Sequence, residues 1–185
     1  MIRRMTFCVI AMAVVFCGCG RKDKPVEQET DLTQFFGQEF RSAKDRSVKL
    51  QAFPLSTSYA VGGAVELNLI LNNSSGKART LPLGIQAPEG LAFTYLSAAV
   101  KGPDGAIKRI PLAPEGVQGE LYAPRVESYA TISEPLDLGS QYDFSQSGTY
   151  EVVLFYTVKE GKLPNGSEPD WTGTVWTSPI VIQVQ

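Results

Sequence analysis

From residue 48 onward the chain alternates apolar and polar side chains with a period of two, and no long amphipathic helix interrupts the pattern. Val65, Leu67, Leu69 and Leu71 alternate with Glu66, Asn68, Ile70 and Asn72, so one face of this segment is wholly aliphatic. Successive side chains of a strand point to opposite faces, so such a segment is a half-buried strand. Val48, Leu50 and Ala52 repeat the pattern. Tyr150, Val152, Leu154 and Tyr156 lie on one face of a stronger segment, with Val153 and Phe155 on the other. Strands are expected over 48–53, 65–72, 79–83, 91–101, 106–110, 125–133, 149–158 and 174–184, with a short one at Leu136-Asp137-Leu138. The turns between them include Asn72-Asn73-Ser74-Ser75-Gly76 and Gly102-Pro103-Asp104-Gly105. Residues 111–124 and 159–170 read as loops. The expected fold is all-β: an immunoglobulin-like sandwich of two sheets and about eight strands.

The cysteines sharpen the organisation. All three, Cys8, Cys17 and Cys19, lie at the amino end, so the β region has no disulfide and relies on its apolar core. About 140 residues are ample for that. Arg3 and Arg4 open the chain, and residues 6–16 form an uninterrupted, mostly apolar run. That run is shorter than the roughly 20 residues of a membrane span and has the flanks of a signal peptide. It ends in Phe16-Cys17-Gly18-Cys19, with Gly20, Arg21 and Lys22 beyond. The expected organisation is a signal peptide over 1–18, a tether over 19–45 and one domain over 46–185. In the tether, Leu32, Phe35, Phe36 and Phe40 fall along one side of a short helix, expected to dock on the domain or, alternatively, to act as a short recognition segment or membrane-surface contact. Asp31 and Gln34 suit its first turn, and Gly37 weakens it.

Histidine is absent from the chain. This removes Ser-His-Asp and Cys-His nucleophile systems and every zinc site that uses imidazole. The formal net charge of −2 gives no electrostatic footprint for nucleic acid. Glu134, Asp137, Asp143 and Asp170 are the nearest thing to a carboxylate cluster, and none has calcium-loop spacing. Ser74-Ser75-Gly76-Lys77 lacks the glycine that opens a phosphate loop and reads as a hairpin turn. No catalytic residue, cofactor site or metal site is therefore expected, and the chain reads as a non-enzyme. Trp171 and Trp176, the only tryptophans, bracket Thr172-Gly173-Thr174-Val175 and are the candidates for a binding surface. A paired-carboxylate glycosidase or glycan binder would need both to line a groove.

Phe16-Cys17-Gly18-Cys19 resembles a bacterial lipobox, although Phe16 stands where leucine is usual. The resemblance implies cleavage before Cys19 and acylation, including palmitate, of that cysteine. Lipoprotein sorting by the following residue implies the outer membrane in a Gram-negative cell, because Gly20 rather than aspartate follows. Ser147-Gly148-Thr149-Tyr150 is similar to the tyrosine corner of immunoglobulin-like sandwiches, which makes Tyr150 a structural corner residue. Together with Tyr59, Gly62, Val65, Asn72-Asn73, Asp137-Leu138 and Tyr142-Asp143-Phe144, the order over residues 48–158 resembles the immunoglobulin-like domains that accompany deuterolysin-type metallopeptidases. It is also similar to the proteinase-inhibitor sandwich of Bacillus. The peptidases' zinc motif requires histidine, so the resemblance implies a non-catalytic accessory module. The expected function is a membrane-anchored binding or assembly module of the cell envelope, with another envelope protein as partner. The alternatives are a surface protease inhibitor or a glycan-binding domain.

Overall fold

The structure, a computed structural model, describes Leu32 and residues 43–185. The signal peptide, Cys19, Phe35, Phe36 and Phe40 lie outside the described residues. The described residues form twelve strands: β1 (Val48–Pro54), β2 (Glu66–Asn73), β3 (Arg79–Thr80), β4 (Gly84–Ala87), β5 (Gly90–Lys101), β6 (Ile107–Leu112), β7 (Glu120–Tyr122), β8 (Arg125–Val126), β9 (Thr131–Asp137), β10 (Gly148–Val158), β11 (Gly173–Trp176) and β12 (Ile180–Val184). One sheet has the order β1-β2-β9. The larger sheet has the order β11-β10-β5-β4-β7, with β12 also paired to β10 and β6 to β5. β3 and β8 form a small two-stranded sheet. All these pairings are antiparallel.

The core lies where the alternation places it. Leu67, Leu69 and Leu71 of β2 are sealed in one apolar cluster with Val152, Leu154 and Tyr156 of β10. Leu96, Ala98 and Val100 of β5 and Ile180, Ile182 and Val184 of β12 complete it. Each large aliphatic side chain taken fully out of water stabilises by roughly 1.5–3 kcal/mol, which lets the sandwich dispense with a disulfide.

Three expected segments divide differently. Residues 125–133 are two strands, because Tyr129 has a positive φ of 57° and turns the chain between β8 and β9. The expected final strand also breaks. β11 pairs Trp176 with Phe155 and β12 pairs Ile180 with Val152. Thr177, Ser178 and Pro179 thus stand opposite only Val153 and Leu154, a bulge that increases twist. The expected loop over 111–124 contains β7, which extends the larger sheet through Ile85 and Leu121.

Candidate functional site

A dense polar assembly lies where the segment from residue 43 enters the sandwich. Arg79 of β3 is 6% exposed. Its Nη2 donates to Asp45 Oδ2 at 2.7 Å, its Nη1 to the Asp170 carbonyl at 2.6 Å, and its Nε to Ser75 Oγ at 3.2 Å. The planar guanidinium fork suits three acceptors from three separate loops, a task a lysine cannot perform. Asp170 Oδ2 accepts the Thr80 amide at 2.6 Å, and Trp171 Nε1 donates to the Asp45 carbonyl at 2.8 Å. Asp45 Oδ1 accepts the Ser47 amide at 2.9 Å. Hydrogen bonding from Ser47 lowers the Asp45 pKa below the usual carboxylate value; burial opposes this, and the Arg79 charge adds to the lowering. Two residues before Asp45, the Ala43 amide donates to the Thr174 carbonyl at 2.9 Å. Gly173 is required there: its φ is +138°, and a Cβ on it would lie 2.3 Å from the Ala43 Cβ.

Asn73 fixes the neighbouring loops. It is fully buried, and its Nδ2 donates to the carbonyls of Lys77, Val126 and Glu127 at 2.8, 3.0 and 3.1 Å. Its Oδ1 accepts the Ser75 amide at 3.1 Å and the Ser75 hydroxyl at 2.6 Å. The residues 74–77, expected as a hairpin turn, are held by this side chain. The sequence places Asn73 in a turn and gives no sign that its amide is the keystone. It gives no sign either that Arg79 is buried, since arginine almost never is unless paired.

The two tryptophans occupy different settings. Trp171 is 3% exposed and stacks on Tyr156 with centroids 5.6 Å apart and an interplanar angle of 9°. It is a core residue with a bonded indole N–H and offers no surface. Trp176 is half-buried on the outer face of the larger sheet, 6.5 Å from the Phe155 ring. There Ala99, Val153 and Phe155 form a second apolar cluster, and Leu32, 2% exposed, packs onto it. No Trp-lined groove is formed between the two rings.

Tyr150 donates from its hydroxyl to the Gln146 carbonyl at 2.8 Å, four residues upstream. Its ring packs edge-on against Phe144, centroids 5.0 Å apart, and Tyr142 lies 4.9 Å from Phe144. At the same end the Tyr59 hydroxyl donates to the Glu66 carbonyl at 2.6 Å. The Tyr59 backbone pairs with Gln183 and Gln185 along β12.

The four carboxylates are dispersed among turns and ladders. Asp137 accepts the amides of Val65 and Gly139 at 3.2 and 2.8 Å. Asp143 accepts the Ser145 hydroxyl at 2.9 Å. Glu134 accepts the Tyr122 hydroxyl at 2.5 Å, and this hydrogen bond, with burial, raises the Tyr122 pKa. Among the described residues no group of three or more metal-ligating side chains converges. An open groove of about 320 Å³ is lined by Lys101, Gly102, Pro103, Gly105, Thr149 and Glu151. Its two charges pair with each other at 3.1 Å. Among the described residues no helix is long and apolar enough to cross a membrane.

No family model matches the sequence, and no curated protein matches it. Solved structures similar in outline include two from different proteins. The crystal structure of the CARDB domain of the PF1109 protein from Pyrococcus furiosus, in complex with di-metal ions, aligns with 80% of this chain and 95% of that one, at 9% identity and a TM-score of 0.36. The Pseudomonas fluorescens alkylpurine DNA glycosylase AlkC, bound to DNA containing an abasic site analog, aligns with 74% of this chain at 13% identity and a TM-score of 0.35. This chain covers only 30% of that glycosylase. Neither likeness bears on what the present chain binds. The earlier resemblance to deuterolysin-associated and inhibitor domains extends to the sandwich fold alone. That fold, all-β and immunoglobulin-like, stands on the strand pairing described above.

Proposed function

We propose that the chain is a non-catalytic binding or assembly module, held at a membrane of the bacterial cell envelope by lipid on Cys19. The observation that carries this reading is the joint at the amino-terminal edge of the sandwich. Asp45, Arg79, Asp170 and Trp171 spend a buried guanidinium, a carboxylate and an indole N–H on fixing the segment that leads back to Cys19. Chain ends fray unless something ties them down, and these bonds tie down residues 43–47. A tethered module needs such fixing, since any pull on the tether arrives at residues 43–47. The apolar run of residues 6–16, the cysteine and the charged stretch after it supply the matching sequence signals. Several acyl chains together give nearly permanent attachment, each buried CH₂ contributing about 0.8 kcal/mol.

The test is fractionation of cells producing the wild type or Cys19→Ala, followed by cross-linking of the membrane fraction. Wild type sediments with membranes and Cys19→Ala does not. A cross-linked envelope protein that is lost in the variant identifies the partner. Equal membrane retention of both chains contradicts the anchor. Hydrolytic turnover of a glycan or peptide by the purified protein contradicts the non-catalytic reading.

A further inference from the structure

We propose that the outer edge of β1 pairs antiparallel with β1 of a second copy of the chain, joining two β1-β2-β9 sheets into one. The inference does not depend on the lipid at Cys19. A sheet edge offers unpaired N–H and C=O groups to any other strand, so stable folds blunt or cover their edges. Most described edges of this sandwich are treated in that way. β9 carries Pro135 in its interior. The Leu138 amide donates to the Val65 carbonyl, which sets Pro135 among the residues whose backbone faces outward. β6 carries Lys108, Arg109 and Pro111. β3, β7 and β8 are only two or three residues long. β11 is met by the Ala43 amide, and β12 by a parallel bridge from Tyr59 to Val184.

β1 is left open. The Leu55 amide donates to the Glu66 carbonyl, so in the observed register the odd-numbered residues of β1 face β2. The N–H and C=O groups of Val48, Leu50 and Ala52 therefore point away from β2, and among the described residues nothing bonds to them. Pro54 ends this row but does not interrupt it. Beside the open edge, Phe53 is 52% exposed and Leu55 59% exposed, although both are large and apolar.

The sequence of β1 also complements itself. A twofold axis at Gln51 sets Leu50 opposite Ala52 of the second copy, where the two exchange both ladder bonds. Val48 then donates to the Pro54 carbonyl, which asks for no N–H in return. Lys49 is the one charge in β1. In this register it meets Phe53 of the second copy rather than its own like charge, and an ammonium is attracted to an aromatic face. Gln51 faces Gln51, and a side-chain amide both donates and accepts.

The test is sedimentation equilibrium of the full-length chain purified in detergent. Wild type should show twice the mass of one chain. Gln51 is exposed, so Gln51→Lys and Gln51→Glu should melt as wild type does. Each sets like charges opposite one another on the axis and should associate at least about five-fold more weakly. An equal mixture of the two should recover association, because the facing charges are then opposite. Residues facing each other in such a pair have Cα atoms about 4.5 Å apart, within reach of a disulfide. Gln51→Cys should therefore give a cross-linked dimer on oxidation. Ser133→Cys, exposed on the same face of β9, should give no more than the wild-type background from Cys8, Cys17 and Cys19. A wild type that sediments as one chain overturns the proposal, whether or not it captures a strand of a different protein. Association of Gln51→Lys as tight as wild type, a mixture that recovers nothing, or equal cross-linking at both cysteine positions overturns it as well.

Discussion

Tyr156 and Asp45 show how individual polar groups are used in this domain. Tyr156 is fully buried against Trp171, and its hydroxyl meets no hydrogen-bond partner among the described residues. Burial pushes its phenol well above the ordinary value of 10.0. A buried hydroxyl without a partner is destabilising, so Tyr156→Phe should leave stability unchanged or raise it by up to about 1 kcal/mol. Urea unfolding checks this, and a loss larger than that would mean the hydroxyl is bonded. Asp45 behaves in the opposite sense. Its folded pKa lies below the reference 3.8, so its contribution is fully present above that value and disappears as pH falls through the folded pKa. Asp45→Asn should therefore lower stability at neutral pH and flatten the loss of stability below about pH 4. Thermal melts from pH 7 down to pH 3 read both effects.

Among the elements, the junction between β11 and β12 is the most informative. The strand breaks because Pro179 has no N–H to give the ladder. Thr177 repairs the gap: its amide donates to the Leu154 carbonyl at 3.0 Å, and its Oγ1 accepts the buried Leu154 amide at 3.1 Å. Thr177→Val keeps the shape and leaves that amide unpaired, which should cost about 1–3 kcal/mol, whereas Thr177→Ser should restore most of it. Chemical denaturation of the pair decides the point. The same junction shows what was legible in the sequence. Period-two alternation located β1, β2 and β10 because each turns a regular apolar face into the core. Alternation alone did not divide 174–184, although Pro179 marks the break; the repair by the Thr177 hydroxyl is what the sequence does not show. Alternation also ran β8 into β9, where Tyr129 adopts a left-handed backbone that residue type does not announce. The apolar second face of β10, Val153 and Phe155, was visible as a pattern. Its meaning required seeing Leu32 packed on it. The joint of Asp45, Arg79, Asp170 and Trp171 was not legible at all, because it gathers residues from distant parts of the chain.

For the molecule as a whole, the sandwich places its tied-down polar groups at one end and its aromatic corner at the other. Tyr59, Tyr142, Phe144 and Tyr150 close the end away from the joint. On the proposed attachment at Cys19, a pull on the tether reaches the Arg79 joint before the core strands. Gly173→Ala tests that division of labour. Its new Cβ collides with Ala43, so residues 43–47 should detach while the strands remain paired. Hydrogen exchange should then show faster exchange at the Ala43 and Ser47 amides, with the β2 and β10 amides unchanged. The central claim is that this domain is a lipid-held module, and intact-mass spectrometry of the protein extracted from membranes tests it most directly. The account predicts a chain that begins at Cys19 and carries the added mass of acyl groups. A chain that begins at Met1, or one cut elsewhere and bearing no lipid, would contradict it.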